Sequence, residues 1–281
     1  MNHHIAGRRK RRLDITASGW LALAVIGLVP AASGQTKPTP SSDLRFTELS
    51  DDAVVATSHP FAANSLLVRT ANGTVILVDT PTTPHDTLEL LEWSRERWGA
   101  YPTFAVNSHW HFDSSGGNQI LRDKGVQVIA SRRTTALLRE RGAEARRDLL
   151  EYFAERDPST RAELESLRPT PADLAVEVRE RTVLELGGEE VWLVYPGPSH
   201  SSDSIAVFLP DRRLLYGGCA VRSDGKFVNR READFANWAA AVEKLAALEP
   251  LNVVPGHGIR FDPEMLQETI EAARRIAADV P

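Results

Sequence analysis

Four times along this chain a short apolar run of strand character ends, and a polar motif carrying a histidine or a cysteine follows at once. "TFAVNS" (103–108) leads into "HWHFD", "EVWLVY" (190–195) into "GPSH", "RLLYGG" (213–218) into a cysteine, and "LNVVP" (251–255) into "GHG". Loops at strand ends are held by rigid flanking elements, which is why binding groups concentrate there. The glycines beside Cys219 and around His257 let backbone approach a ligand closely or bend sharply. This repetition constrains the fold more than any other feature of the sequence, because each strand has to end where a polar loop can be held.

The segments between the motifs set the fold class. β-type runs at 53–58, 64–70 and 74–80 open the domain, the last two joined by the turn "ANG". A helix follows. Thr83 caps it, Pro84 suits its first turn, Asp86 takes the capping-box position, Leu88, Leu91 and Trp98 form its stripe, and Gly99 ends it. A helix at 118–124, a strand at 126–131 and a helix at 134–141 come next. Residues 143–168 have a charged helical pattern broken at "DPS", with little sustained apolar face, and predict a surface insertion. It is either a solvated decoration or a cover for a site. Strands resume at 181–186, 190–195, 204–210 and 213–218. A helix at 234–248, a strand at 251–255 and a helix at 263–278 close the chain. Mixed strands flanked by helices predict a layered α/β sandwich, with two sheets inside and helices outside.

His109, His111, His200 and His257 are four of the eight histidines, and Asp113 and Cys219 stand with them. Imidazole, thiolate and carboxylate together suit zinc. In "HWHFD" the alternate spacing places three donors within a few ångströms in an extended loop. Six donors are too many for one tetrahedral ion. They suit two ions with three protein ligands each, and open positions mark catalytic rather than structural zinc. His59 and His85 read as surface residues. Cys219 is the only cysteine, so it forms no intramolecular disulfide, and alone it would read as a small buried hydrophobe.

Residues 1–34 stand apart. Basic "GRRKRR", the short apolar run "WLALAVIGLV" (20–29) and the small residues of "PAASGQ" are the parts of a signal peptide, cleaved near 32–34. The run is short for a membrane span, and an uncleaved anchor is the alternative. Residues 35–43 read as a flexible segment, leaving 44–281 as the catalytic domain. The first 34 residues hold five of the 33 basic residues and one of the 38 acidic ones, so their removal takes the net charge from −5 to −9. That balance argues against nucleic acid or a membrane surface as partner. The expectation is a periplasmic monomer acting on a small molecule.

With these motifs in place, the chain resembles the metallo-β-lactamase fold superfamily from about Leu44 to its C-terminus. "HWHFDSSGG" resembles the family's first histidine motif, and Asp79 in "ILVDT" its supporting aspartate, which binds no metal. "GPSHSSDSIAVFLPDRRLLYGGCAV" is the most specific segment. Most relatives have a metal-bridging aspartate where Cys219 stands. A cysteine in "GGC" resembles the class B β-lactamases of the first, Asp-Cys-His, subclass. The second subclass replaces the first histidine, present here as His109, and the third has a histidine where Ser114 stands.

The resemblance implies a four-layer αββα sandwich and a zinc-dependent hydrolase that opens β-lactam rings by zinc-hydroxide attack. It implies two zinc ions, one on His109, His111 and His200 and one on Asp113, Cys219 and His257, with a single occupied ion as the alternative. It also implies that Asp113 orients the attacking water, that Arg222 binds the substrate carboxylate where a lysine is usual, and that Asn229 matches a substrate-binding asparagine. This chain departs from the pattern in three places. Ser114 replaces a common arginine, the flap at 57–65 is short and leaves Phe61 to supply an apolar contact, and 143–168 is long. Another dizinc hydrolase of the same fold, acting on lactones, thioesters or esters, and a non-catalytic periplasmic zinc-binding protein are the rival readings.

Overall fold

The computed structural model describes residues 12–14, 44–227 and 230–279. The signal peptide and flexible segment expected over 1–43 therefore lie outside the described residues apart from 12–14, and Asn229 lies outside them too. After a short β1 (Arg12–Asp14) comes a seven-stranded sheet in chain order. It holds β2 (Arg45–Ser50), β3 (Ala53–Ser58), β4 (Ala63–Arg69), β5 (Val75–Val78), β6 (Phe104–Asn107), β7 (Gln127–Ser131) and β8 (Leu174–Val176). Strands β2 to β5 pair antiparallel and β5 to β8 parallel.

The six-stranded sheet sets β1 beside β9 (Arg181–Leu186), followed by β10 (Glu189–Val194), β11 (Ala206–Leu209), β12 (Leu214–Gly218) and β13 (Asn252–Pro255). Here β1–β9 and β12–β13 are parallel pairs and the others antiparallel. The helices are α1 (Pro84–Trp98), α2 (Phe112–Ser115), α3 (Asn118–Asp123), α4 (Arg132–Arg156), α5 (Pro158–Leu164), α6 (Phe235–Ala246) and α7 (Glu264–Asp279). Among the described residues no helix is long and apolar enough to cross a membrane.

The period-2 alternation of side chains along a strand explains the layers. Leu66, Val68, Ile76, Val78, Phe104 and Val106 point inward and meet Val207, Leu209, Leu214, Tyr216 and Val254 of the other sheet. The residues between them face the other way. Leu67, Leu77, Ala105 and Val128 pack under Leu90 and Leu91 of α1 and Leu121 of α3. On the far side Phe208, Leu215 and Val253 pack under Trp238 and Val242 of α6 and Met265 and Ile270 of α7. Both faces of both sheets are covered, as the near-continuous apolar runs require. The result is the expected four-layer αββα sandwich.

Two local expectations need correcting. The buried face of α1 is Thr87, Leu90, Leu91 and Ser94, while Leu88 is exposed. Helix α4 runs unbroken to Arg156 rather than ending at residue 141. Gly142 is not a stop. It lies within the helix where Pro169 crosses, and a Cβ there would come within 2.7 Å of that ring. The break falls at Asp157, which ends α4 and caps α5, accepting from the backbone N–H groups of Ser159 and Thr160.

Candidate metal centre

The C-terminal ends of β6, β10, β12 and β13 meet at one edge, where backbone bonds stitch the sheets together. Ile205 N donates to Ser108 O at 2.9 Å, and Asn64 N to Gly256 O at 2.9 Å. The Asn64 amide also donates to the carbonyls of Pro255 and Gly258, both at 2.9 Å. The loops after these strands carry all six predicted donors, and the structure brings the six together.

His109, His111 and His200 form one group, with a nitrogen of each within 4.8 Å of the others. Their rings stand nearly perpendicular, with centroids 4.8–5.2 Å apart. His111 Nδ1 faces His200 Nε2 at 3.0 Å. His109 Nε2 is buried and makes no hydrogen bond, with Asp113 Oδ1 3.4 Å away.

The tautomer of His109 follows from its surroundings. Asp79, just past β5, is buried at 2% exposure with φ +59°, a left-handed conformation uncommon for a non-glycine residue. Burial, first of all, pushes its carboxyl up to about 6, so at neutral pH it is an acceptor only. It accepts from Ser108 N (2.6 Å), Ser108 Oγ (2.6 Å) and Ser114 Oγ (2.5 Å), and Tyr216 OH lies 2.9 Å away, its one proton divided between Asp79 and Asn64 O at 2.6 Å. Ser108 has spent its one proton on Asp79, so at 3.0 Å it accepts from His109 Nδ1–H. With Nδ1–H committed to Ser108, Nε2 is the nitrogen that faces the other histidines, the one a metal would take in place of its proton.

Asp113, Cys219 and His257 form the second group. His257 Nε2 lies 2.9 Å from Asp113 Oδ2 and 3.3 Å from Cys219 Sγ, and Sγ lies 3.4 Å from Oδ2. Ligands about 2.0–2.3 Å from a tetrahedral zinc lie roughly 3.3–3.7 Å apart, so a small expansion admits an ion. His257 Nδ1 faces Phe61 O at 3.0 Å, which orients Nε2 toward the group. Only glycine fits at 256, because a Cβ would lie 2.6 Å from Cys219 Sγ and 2.7 Å from its backbone nitrogen.

The charges agree with a cation site. Burial alone would raise Asp113, yet His109 and His257 hold it well below the usual carboxylate range. Burial and Asp113 oppose ionisation of the Cys219 thiol, but the same two histidines outweigh them and lower it. In return Cys219 and Asp113 overcome burial to raise His109 well above its ordinary value and His257 to about 10. His200, dominated by burial and then by His109, is lowered well below. Buried anions here draw protons onto imidazoles where a metal cation would do the same work. The buried Nε2 of His109, which has no hydrogen-bond partner, and the donor chemistry both fit zinc.

Arg222 is 95% hidden from solvent, with Nε donating to Lys226 O at 2.6 Å. Its backbone N–H donates to Thr269 Oγ1. Sequence reasoning missed several residues that shape the centre. Tyr216 looked like a core aromatic, although its hydroxyl reaches Asp79. Trp110 and Phe112 looked like spacers. Glu232 gave no signal, yet it accepts from Trp110 Nε1 at 3.0 Å and Arg141 Nη1 at 2.7 Å, and lies 3.4 Å from His111 Nε2. The contact with His111, first of all, holds its carboxyl down at about 2.

Comparison with known proteins agrees with this architecture. Residues 59–257 match the Metallo-beta-lactamase superfamily. The chain is 28% identical over 240 residues to a "Metallo-beta-lactamase type 2" of Bacteroides fragilis, covering 82% of this chain and 85% of that one. A protein of the same description from Pseudomonas aeruginosa is 28% identical over 243 residues, with the same coverage. Among solved structures, the DIM-1 metallo-beta-lactamase superposes with a TM-score of 0.68 at 26% identity, covering 83% of this chain and 98% of that one. FIM-1 of Pseudomonas aeruginosa, solved in a mono-zinc form, gives 0.68 at 25% identity over 85% and 97%. From the first histidine motif to the last, sequence and fold agree: this chain belongs to the metallo-beta-lactamase superfamily.

Proposed function

We propose that this chain is an exported β-lactamase that works with two zinc ions, on His109, His111 and His200 and on Asp113, Cys219 and His257. One observation carries the reading: a carboxylate, a thiolate and an imidazole meet within 2.9–3.4 Å beside three converging histidines. The type 2 relatives over most of the chain supply the substrate class. Zinc bound there would polarise the lactam carbonyl and bring the pKa of a bound water down to about 7.

The chain's own groups do the rest. Asp113 turns Oδ2 to Cys219 and His257 and leaves Oδ1 toward His109, so Oδ1 is placed to orient the water and hold its proton. Arg222 uses Nε on Lys226 and makes no other side-chain hydrogen bond among the described residues. Its two terminal nitrogens are assigned to the substrate carboxylate, a pairing arginine makes bidentately. Asn229 is assigned a second substrate contact. The basic and apolar leader supports export to the periplasm.

The test is turnover of a chromogenic cephalosporin by the mature domain, with zinc content measured alongside. Chelation should abolish hydrolysis and added zinc should restore it. A zinc-loaded protein that cleaves lactones or thioesters but no β-lactam would overturn the assignment.

A further inference from the structure

A second group of donors lies away from the strand ends, at the start of α1. His85, Asp86 and Glu89 offer a ring nitrogen and two carboxylate oxygens within 4.8 Å of one another, as the three histidines do. His85 Nε2 stands 3.5 Å from Glu89 Oε1. Taken alone this is an ordinary i,i+4 pair on a helix.

Three observations make it more than that. Asp86 is buried at 5% exposure, yet its carboxylate accepts no hydrogen bond among the described residues. Its position suits a reciprocal cap, but only half of the box forms, with Asp86 N donating to Thr83 Oγ1 at 3.1 Å. His85 Nε2 and Glu89 Oε2 are likewise buried without hydrogen-bond partners, and buried polar atoms are rarely left so. Finally, two further groups act on Asp86 from other elements: Glu163 of α5 repels its charge and His59, in the turn after β3, attracts it. Burial, then Glu163, pushes the Asp86 carboxyl up to about 6. Two carboxylates gathered with one imidazole are costly unless a cation or protons sit among them.

We propose that His85, Asp86 and Glu89 bind one divalent transition ion of the zinc type, sharing no donor with the strand-end centre. One nitrogen with carboxylate oxygens is a set zinc accepts, whereas calcium and magnesium favour oxygen alone. The start of α1 disfavours a cation by about half a unit charge, so the carboxylates have to outweigh it. The ion would sit on α1, the helix that α5 of the insertion packs against.

The test is zinc stoichiometry by native mass spectrometry on the chain reloaded at micromolar free zinc, for wild type, His85→Ala and Glu89→Gln. Each variant should carry one ion fewer than wild type and lose part of the zinc-dependent rise in Tm. With cobalt, the thiolate–metal absorption of Cys219 should be unchanged. Circular dichroism checks folding, and two variants on separate side chains guard against a defect in either. Equal stoichiometry in all three proteins, or a difference appearing only at millimolar zinc, overturns the proposal. The comparison is between proteins, so it holds whether the strand-end centre takes one ion or two.

Discussion

The floor of the centre and the wall beside it are built on different physics. The floor consists of strand ends. Its donors are mostly buried, fixed by backbone stitching and by a hydrogen-bonded carboxylate whose every contact has a direction. The wall is the helical α4–α5 segment. Leu138 and Phe153 of α4, with Leu164 and Leu167, pack on Trp110 and Phe112, the two aromatics inside "HWHFD". Phe61 at the flap tip leans on Tyr152 and Phe153, with ring centroids 6.5 and 5.6 Å away. A cavity of about 630 Å³ opens against this wall, lined by Trp110, Glu140, Arg141, Glu144 and Glu232 among others. The motif's odd positions thus serve the metal and its even positions hold the wall. Chemistry and enclosure are carried by neighbouring residues but by separable forces, polar and directional in one case, apolar and tolerant in the other.

If that division is right, the deepest loss comes from the floor's own ligands. Cys219→Ser should lower kcat for a β-lactam by roughly 10²–10³-fold, the usual scale for removing a charge-stabilising element. Zinc bound per chain should fall in parallel while Tm in chelator barely changes, because Ser fits the same space. Unchanged kcat with unchanged zinc would dissolve the distinction.

Asp79→Asn comes next and tests the floor's wiring. With the amide NH2 at Oδ1, Ser108 N and Ser114 Oγ lose their acceptor; at Oδ2, Ser108 Oγ does, while Tyr216 keeps Asn64 O. In the second orientation Ser108 Oγ can swing its proton to His109 Nδ1, which moves the ring proton to Nε2 and blocks the metal. Zinc affinity should fall about 10–100-fold. The metal-free protein should lose about 2 kcal/mol, read as a lowered Tm, for the donors left unpaired. Glu232→Gln tests the seam between floor and wall. The amide keeps one acceptor oxygen, so it holds Trp110 or Arg141 but not both, and it carries no charge for His111; an effect of about 10-fold in zinc affinity is expected. Full retention of affinity would assign Glu232 to the wall alone.

How legible each region is in the sequence follows the same division. Floor donors have few alternative uses, so histidines and a cysteine placed just after strand runs disclose themselves by spacing, and the two-residue alternation discloses the sheets. The wall does not. The face α4 buries is sparse, and its partners, Trp110 and Phe112, lie far off in sequence among residues that read as spacers. Helix α4 runs on past residue 141 through Gly142, and the close approach of Pro169 that requires glycine there leaves no mark in the local pattern. Tyr216 fitted a core strand so well that its hydroxyl went unread. His85 reads as a surface residue and is half-buried, with its Nε2 covered because of how α1 packs, which the local pattern does not show.

The smallest effect should come from the far end of the wall. Asp157 caps α5, taking Ser159 Oγ and Thr160 Oγ1 as well as both backbone N–H groups. These bonds, the Ser159 hydroxyl first, hold its carboxyl down at about 2. A carboxyl depressed from 3.8 in the folded chain stabilises the fold above about pH 4, and that contribution drains away as the pH falls through about 2. Asparagine caps nearly as well as aspartate but has no charge to lose. Amide exchange in α5 should therefore accelerate on acidification more in wild type than in Asp157→Asn, and be fast at both ends of the range in Asp157→Ala. β-Lactam turnover at neutral pH should differ by less than about twofold among the three, since beyond α5 the cap faces only His59, half-exposed in the turn after β3 and 4.0 Å away. A large loss of turnover in Asp157→Ala, with the zinc content of the strand-end centre intact, would mean that the wall does more than enclose, and that α5 helps to set the geometry in which the floor works.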